Sequence, residues 1–233
     1  MDVWIDIARG PLFRVSLAIM ILGLGYRIGV TVVQIVTAWH RASDRQLPAR
    51  DIAAATLGWL LPMRLLRSRP AYSAASFLFH IGIIVVPLFL VGHVALLAGV
   101  VPPRWPSLSP TLADCLTLLC ISALLVLLAG RIVVRSARKL TRTQDALILL
   151  ILLLTVGFGF LAAHPATSPF PARAMVLLHI LCGDLVLVLI PTTKIAHCVL
   201  YPFTQLLFQL GWHFPADTGR HVAIASGKEN EPV

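Results

Sequence analysis

The sequence predicts an all-α integral membrane protein, a bundle of five transmembrane helices with its N-terminus outside and its C-terminus in the cytoplasm. Three observations predict it. The 233 residues are 58% hydrophobic and only 12% charged, against about 45–50% and about 25% in a soluble domain. Five apolar segments reach the roughly 20 residues that a helix needs to cross about 30 Å of hydrocarbon. The basic residues collect in alternate connections between those segments, as the positive-inside rule requires.

Span one runs from about Pro11 to Arg27 or a little beyond. Its leader, MDVWIDIARG, lacks a basic n-region and a small-residue cleavage site, so the span is expected to be retained. Span two covers Ser73 to Val101 and is ended by Pro102–Pro103. Span three covers Thr111 to Val134, span four Asp145 to Ala163, and span five Ala174 to Leu200, before Tyr201–Pro202.

Between spans one and two lie Arg41, Arg45, Arg50, Arg64, Arg67 and Arg69, and between spans three and four lie Arg131, Arg135, Arg138, Lys139 and Arg142. The two opposite connections hold only Arg104 and Arg173. The arginine-rich loops are therefore assigned to the cytoplasm. The net charge of +9 is accounted for by this asymmetry. With no basic helix carrying interleaved aromatics apart from the spans, no nucleic-acid partner is expected. Residues 1–203 are read as the transmembrane domain and 204–233 as a cytoplasmic tail whose last part is disordered. In the first inner connection, the run Ile52–Leu66 is too short and too broken by Pro62 to span, and reads as an interfacial helix or docking surface. Cys115, Cys120, Cys182 and Cys198 show neither CxxC nor CxxCH spacing and read as small hydrophobes.

Chemistry is carried by four histidines in two of the most apolar stretches, His80 and His93 in span two, and His179 and His197 in span five. An ionisable side chain in hydrocarbon is costly and calls for a function. The spans run in opposite directions, which puts His80 level with His197 near the inside and His93 level with His179 near the outside. At about 1.5 Å per residue the two levels are about 20 Å apart on span two and about 27 Å apart on span five. This is the ligand set of two stacked bis-histidine haems, neutral imidazole being a common iron ligand. On an ideal helix His179 and His197 share a face, whereas His93 falls about 140° from the face of His80. Pro87 and Pro191 lie between the members of each pair, so kinks are expected in both. His40, His164, His213 and His221 fall in loops, at interfaces or in the tail and read as solvated.

Three more charges lie within the spans. Asp184 either hydrogen-bonds a neighbour or relays a proton. Arg27 and Lys194, towards the inner side, either partner haem propionates or snorkel to the headgroups.

The segments LFHIGIIVVPLFLVGHV and LHILCGDLVLVLIPTTKIAHCVLYP, with TQDALILLILLLTVGFG before them, resemble the gamma (dihaem cytochrome b) subunit of respiratory nitrate reductase. The same superfamily includes membrane cytochromes b associated with heterodisulfide reductase and with sulfite reductase. The resemblance covers most of the chain. Span two departs from the nitrate reductase pattern by three extra residues between its histidines, and in this it is closer to the sulfur-metabolism relatives.

The resemblance implies a multi-pass subunit of a respiratory complex in a bacterial cytoplasmic membrane, incomplete as an enzyme by itself. It implies two haem b groups, the outer ligated by His93 and His179 and the inner by His80 and His197. Quinol would be oxidised near the outer haem, and electrons would pass to a cytoplasmic iron–sulfur or other redox subunit. Arg104 is the nearest charge to where the family places a quinol-contacting lysine. The residues leave two other readings open: a haem-free transporter or scaffold using the histidines, and a b-type ferric or ascorbate reductase.

Overall fold

The computed structural model of the chain describes residues 1–41, 69–98, 101–102, 104–210 and 218–228, with isolated positions between 50 and 67. Most of the run Ile52–Leu66, along with Arg45, Arg64, His213 and residues 229–233, lies outside the described residues.

Regular structure among the described residues is helical, apart from an isolated bridge between Ala98 and Val101. Five of the helices are long and apolar enough to cross a membrane, and the chain is a multi-pass membrane protein. They are α1 (Asp2–Arg41), α2 (Pro70–Phe89), α4 (Pro110–Val133), α6 (Thr143–Ala163) and α7 (Ala172–Thr192). Shorter helices are α3 (Val91–Leu96), α5 (Arg135–Leu140), α8 (His197–Leu210) and α9 (Thr218–Ala225). In hydrocarbon each backbone donor and acceptor must be satisfied within the segment, which leaves helices as the spanning form for such runs.

The helix starts follow local chemistry. Pro70 and Pro110 occupy first turns, where the missing N–H costs nothing. Ser109 caps α4 by accepting from Leu112 N at 3.4 Å, and Asp145 accepts from Arg142 N at 3.0 Å at the start of α6.

Spans three and four match the sequence-based boundaries to within two residues. The other three differ. α1 begins nine residues before the expected start and continues to Arg41. Pro11 does not interrupt it, because a widened π turn at Ala8–Leu12 relieves the clash between the proline ring and the preceding turn. Span two is not one helix. It stops at Phe89, passes through an extended Leu90 (φ −71°, ψ 128°) and resumes as α3. Span five stops at Thr192. An extended Thr193 and a 3₁₀ turn, Lys194–Ala196, follow before α8. In each case a proline, Pro87 or Pro191, precedes the break by two or three residues and removes an N–H from the ladder. α8 also runs across the expected 203/204 boundary of the tail.

The chain divides into two compact units, Met1–Leu17 with Pro62–Leu187, and Ala18–Leu61 with Val188–Val233. The first holds a core in which α2, α4 and α6 interlock through Ala75, Phe79, Cys120, Ala123, Leu124, Leu127, Leu149 and Leu152. Small residues set the approach of α2 to α4. A Cβ on Gly82 would lie 2.6 Å from Cys120 Cβ and 3.0 Å from Leu116 O, so only glycine fits there. Cys120 is a buried member of this core, with Sγ 3.7 Å from Phe79 O. Large apolar side chains such as Leu22, Val126 and Leu150 face outward, as they do where lipid replaces water as the solvent and close packing of small residues holds helices together.

Candidate functional site

His93 owes its position to the break at Leu90. The backbone groups exposed by that break find partners from the connection that follows. Trp105 Nε1 donates to Leu88 O at 2.8 Å, and Leu108 N donates to Phe89 O at 2.9 Å. The Trp105 ring stacks on Phe89 with centroids 5.7 Å apart and planes at 12°. His93 N in turn donates to Leu90 O at 2.9 Å, which starts the six-residue helix that carries the imidazole. The 140° offset of an ideal helix therefore does not apply, because the helix is restarted between the two histidines.

His179, on α7, is held from the side by α6. Its Nδ1 donates to Thr155 O at 2.9 Å. One turn along, Gly159 lets the ring lie flat against the helix, since a Cβ there would sit 2.8 Å from Cε1 and 2.9 Å from Nδ1. With its proton committed to Thr155, the ring presents the Nε2 lone pair.

The two imidazoles meet head-on. His93 Nε2 and His179 Nε2 are 3.4 Å apart, the ring centroids 5.7 Å apart and the planes within 19°. The excess of the centroid separation over the nitrogen separation is about two ring radii, so both nitrogens lie on the line joining the rings. Two imidazoles so oriented would be able to hold a metal ion between them. Metal–imidazole bonds are about 2.0–2.1 Å, which puts trans nitrogens about 4 Å apart. A small outward shift of the rings meets that spacing. His93 Nδ1 is buried and has no hydrogen-bond partner among the described residues.

His80 and His197 have the same local habit, each within its own unit. His80, half-buried in the first, has Nδ1 at 2.6 Å from Ser76 O and its ring edge-on to Phe79 at 4.8 Å. His197, exposed in the second, has Nδ1 at 2.6 Å from Lys194 O and Nε2 at 3.7 Å from Cys198 Sγ. A backbone carbonyl on one ring nitrogen is the usual partner of a metal-ligating histidine. It fixes the tautomer of such a ring. The donor set therefore fits haem iron.

Of the intramembrane charges, Asp184 is 4% exposed, and neither carboxylate oxygen has a partner among the described residues. Arg27 Nη1 donates to Pro191 O at 3.0 Å and Thr193 O at 3.4 Å, covering the carbonyls at the end of α7. Lys194 lies in the 3₁₀ turn. Arg104 is exposed in a turn.

A cavity of about 130 Å³ lies among α2, α3, α4, α6 and α7, and both His93 and His179 border it. Asp114 also lines it, and His164 Nε2 is 3.3 Å from Asp114 Oδ2. His164 was expected to be a solvated loop residue. Instead it is half-buried at the end of α6, stacked on Phe160 at 4.3 Å, with Nδ1 at 3.0 Å from Phe160 O. His40 and His221 are exposed.

Sequence reasoning missed Thr155, Gly159 and Asp114. The first two had a signal: a hydroxyl residue and a small residue four apart, in a helix otherwise built of large apolar side chains, mark a close approach. Asp114 had none, since its partner is 50 residues away.

No family model and no solved structure matches the chain. A protein of Nitratidesulfovibrio vulgaris is 35% identical to it over 172 residues, which covers 70% of this chain and 71% of the relative. The chain belongs to that protein's family. The kinship carries no activity with it.

Proposed function

We propose that the chain is a dihaem cytochrome b subunit that moves electrons across a bacterial cytoplasmic membrane between the quinone pool and a partner redox subunit on the cytoplasmic side. The observation that carries this reading is the head-on His93–His179 pair, with the second ring locked by Thr155. The Nε2 lone pair of His179 faces Nε2 of His93 inside an apolar span, and two imidazoles so placed would be able to hold haem iron. The resemblance of the two histidine segments to nitrate reductase gamma subunits supports the same reading.

In this reading His93 and His179 hold the outer haem, and His80 and His197 the inner one. Haem supplies a one-electron centre whose potential is set by its axial ligands and surroundings. The chain's own residues do the remaining work. Thr155 and Gly159 orient His179, and the Leu90 break aims His93. Asp184, buried without a partner among the described residues, is suited to relay a proton through the span. Arg27 and Lys194 place cationic groups at the inner level. Arg104, in the connection that carries few basic residues, would be the basic residue to contact a quinol.

The test is the absorption spectrum of the purified full-length chain. Dithionite should give reduced α-bands equivalent to two haems per chain. A colourless preparation from haem-replete cells would overturn the reading in favour of a haem-free transporter or scaffold.

A further inference from the structure

We propose that the turn joining α4 to α6 binds anionic phospholipids, with its five cations on the headgroup phosphates and Val133 and Leu140 against the acyl chains. The inference goes beyond the function proposed above and does not depend on haem.

Five basic residues fall within twelve positions of the turn: Arg131, Arg135, Arg138, Lys139 and Arg142. The acid that follows them, Asp145, has a carboxylate oxygen engaged by Arg142 N at 3.0 Å. Among the described residues none of the five cations is ion-paired, in contrast to Arg173, which meets Asp2 at 2.9 Å. Charge of one sign, concentrated and left unneutralised by the chain itself, is complementary to an anionic surface.

The length of the turn decides where that surface lies. α4 ends at Val133 and α6 begins at Thr143, so residues 134–142 make the whole passage from one span to the next. α5 takes six of them, about 9 Å of helix at about 1.5 Å per residue. The headgroup layer on each face of a bilayer is about 5–8 Å deep. A passage this short keeps its cations at the depth of the lipid phosphates.

The apolar side chains point to the rest of the ligand. Val133 is 77% exposed and Leu140 82%, and Arg135 and Lys139 are exposed between them in the sequence. Apolar and cationic groups together fit a molecule that carries both an acyl chain and a phosphate. An acidic protein surface would complement the cations alone.

Two of the arginines are oriented from within the turn. Arg131 Nη1 donates to Thr141 Oγ1 at 3.4 Å, while that hydroxyl donates to Ala137 O at 2.8 Å. Arg138 Nη1 donates to Ile132 O at 3.4 Å. Arg131 Nε is buried and has no partner among the described residues, which leaves a guanidinium N–H for a phosphate oxygen to satisfy.

The test titrates the purified full-length chain, in non-ionic detergent, with dioleoyl phosphatidylglycerol or dioleoyl phosphatidylcholine and counts bound lipids by native mass spectrometry. Each Lys or Arg at a membrane surface contributes about a fivefold preference for anionic lipid. Phosphatidylglycerol should therefore stay bound at concentrations where phosphatidylcholine does not. Arg135→Gln/Lys139→Gln/Arg142→Gln should weaken phosphatidylglycerol by about 100-fold and leave phosphatidylcholine unchanged. The charge-matched Arg9→Gln/Arg14→Gln/Arg220→Gln should bind as the wild type does. Equal retention of the two lipids by the wild type would overturn the proposal, and so would equal losses in the two triple variants, which would reduce the effect to net charge. Displacement of the lipid by millimolar inorganic phosphate would overturn it in favour of a free anion. Tighter binding of soluble polyglutamate than of phosphatidylglycerol would overturn it in favour of an acidic protein surface. If the first triple variant fails to fold, Arg135→Gln alone, at an exposed position, should weaken phosphatidylglycerol about fivefold, and unchanged affinity there overturns the proposal in the same way.

Discussion

His179 and His197 lie on the same span of the sequence and are held in opposite ways. His179 is fixed by another helix: α6 supplies the Thr155 carbonyl to its Nδ1 and a glycine to its flat face. His197 is fixed by its own turn. Its Nδ1 partner is the carbonyl three residues earlier, and that turn is organised by Thr193, whose hydroxyl accepts from Ile195 N at 3.3 Å and donates to Leu189 O at 2.7 Å. One position depends on tertiary packing and the other on local backbone. A side chain held by packing is disturbed when a neighbouring helix is altered, whereas one held by a turn is disturbed when the turn is.

The sharpest break of that contrast is Gly159→Val. The added atoms enter the space of the His179 ring, where the first carbon alone would lie 2.8 Å from Cε1. We expect one haem per chain in place of two, with the His197 site retained, measured by pyridine haemochrome content. Gly183→Ala is the control on the same face of the question, because a Cβ there has nothing within 4 Å, and haem content should not change. A smaller effect is expected from Trp105→Phe, which keeps the stack on Phe89 and removes the donor to Leu88 O. The cost should be about 1 kcal/mol, read as a fall in Tm of about 2–4 °C, with loss of the His93–His179 haem on heating before that of the other. The smallest effect belongs to the turn. Thr193→Ala should cost about 0.5 kcal/mol, the low end of what loss of a helix-start cap costs. It should shift the EPR g-values of one ferric haem and leave those of the other in place.

The architecture was legible where one span is one helix. α4 and α6 are uninterrupted apolar runs with a serine or an aspartate at the start, and their limits follow from length and capping. The level of His93 with His179 was legible too, because antiparallel neighbours fix depth through residue counts alone. What was not legible is the geometry at Leu90 and Thr193. Pro87 and Pro191 announce a disturbance, but the residue that absorbs it is selected by which freed carbonyls find partners, and for Leu88 that partner is Trp105, 17 residues on. Asp114 and His164 were illegible for a related reason. Each reads alone as a polar residue at a helix end, and their meaning lies in the 3.3 Å between them.

The bonds from Arg27 to Pro191 and Thr193 link residues 164 and 166 positions apart. During synthesis, at about 5–20 residues per second, the arginine precedes its acceptors by roughly 10–30 s. Through that interval the first helix carries a full positive charge with its later partner still unmade. The carbonyls that this arginine covers exist only once the last span has been made. The order of biogenesis is written into this contact: the second unit closes only when the first and last membrane segments have both been made.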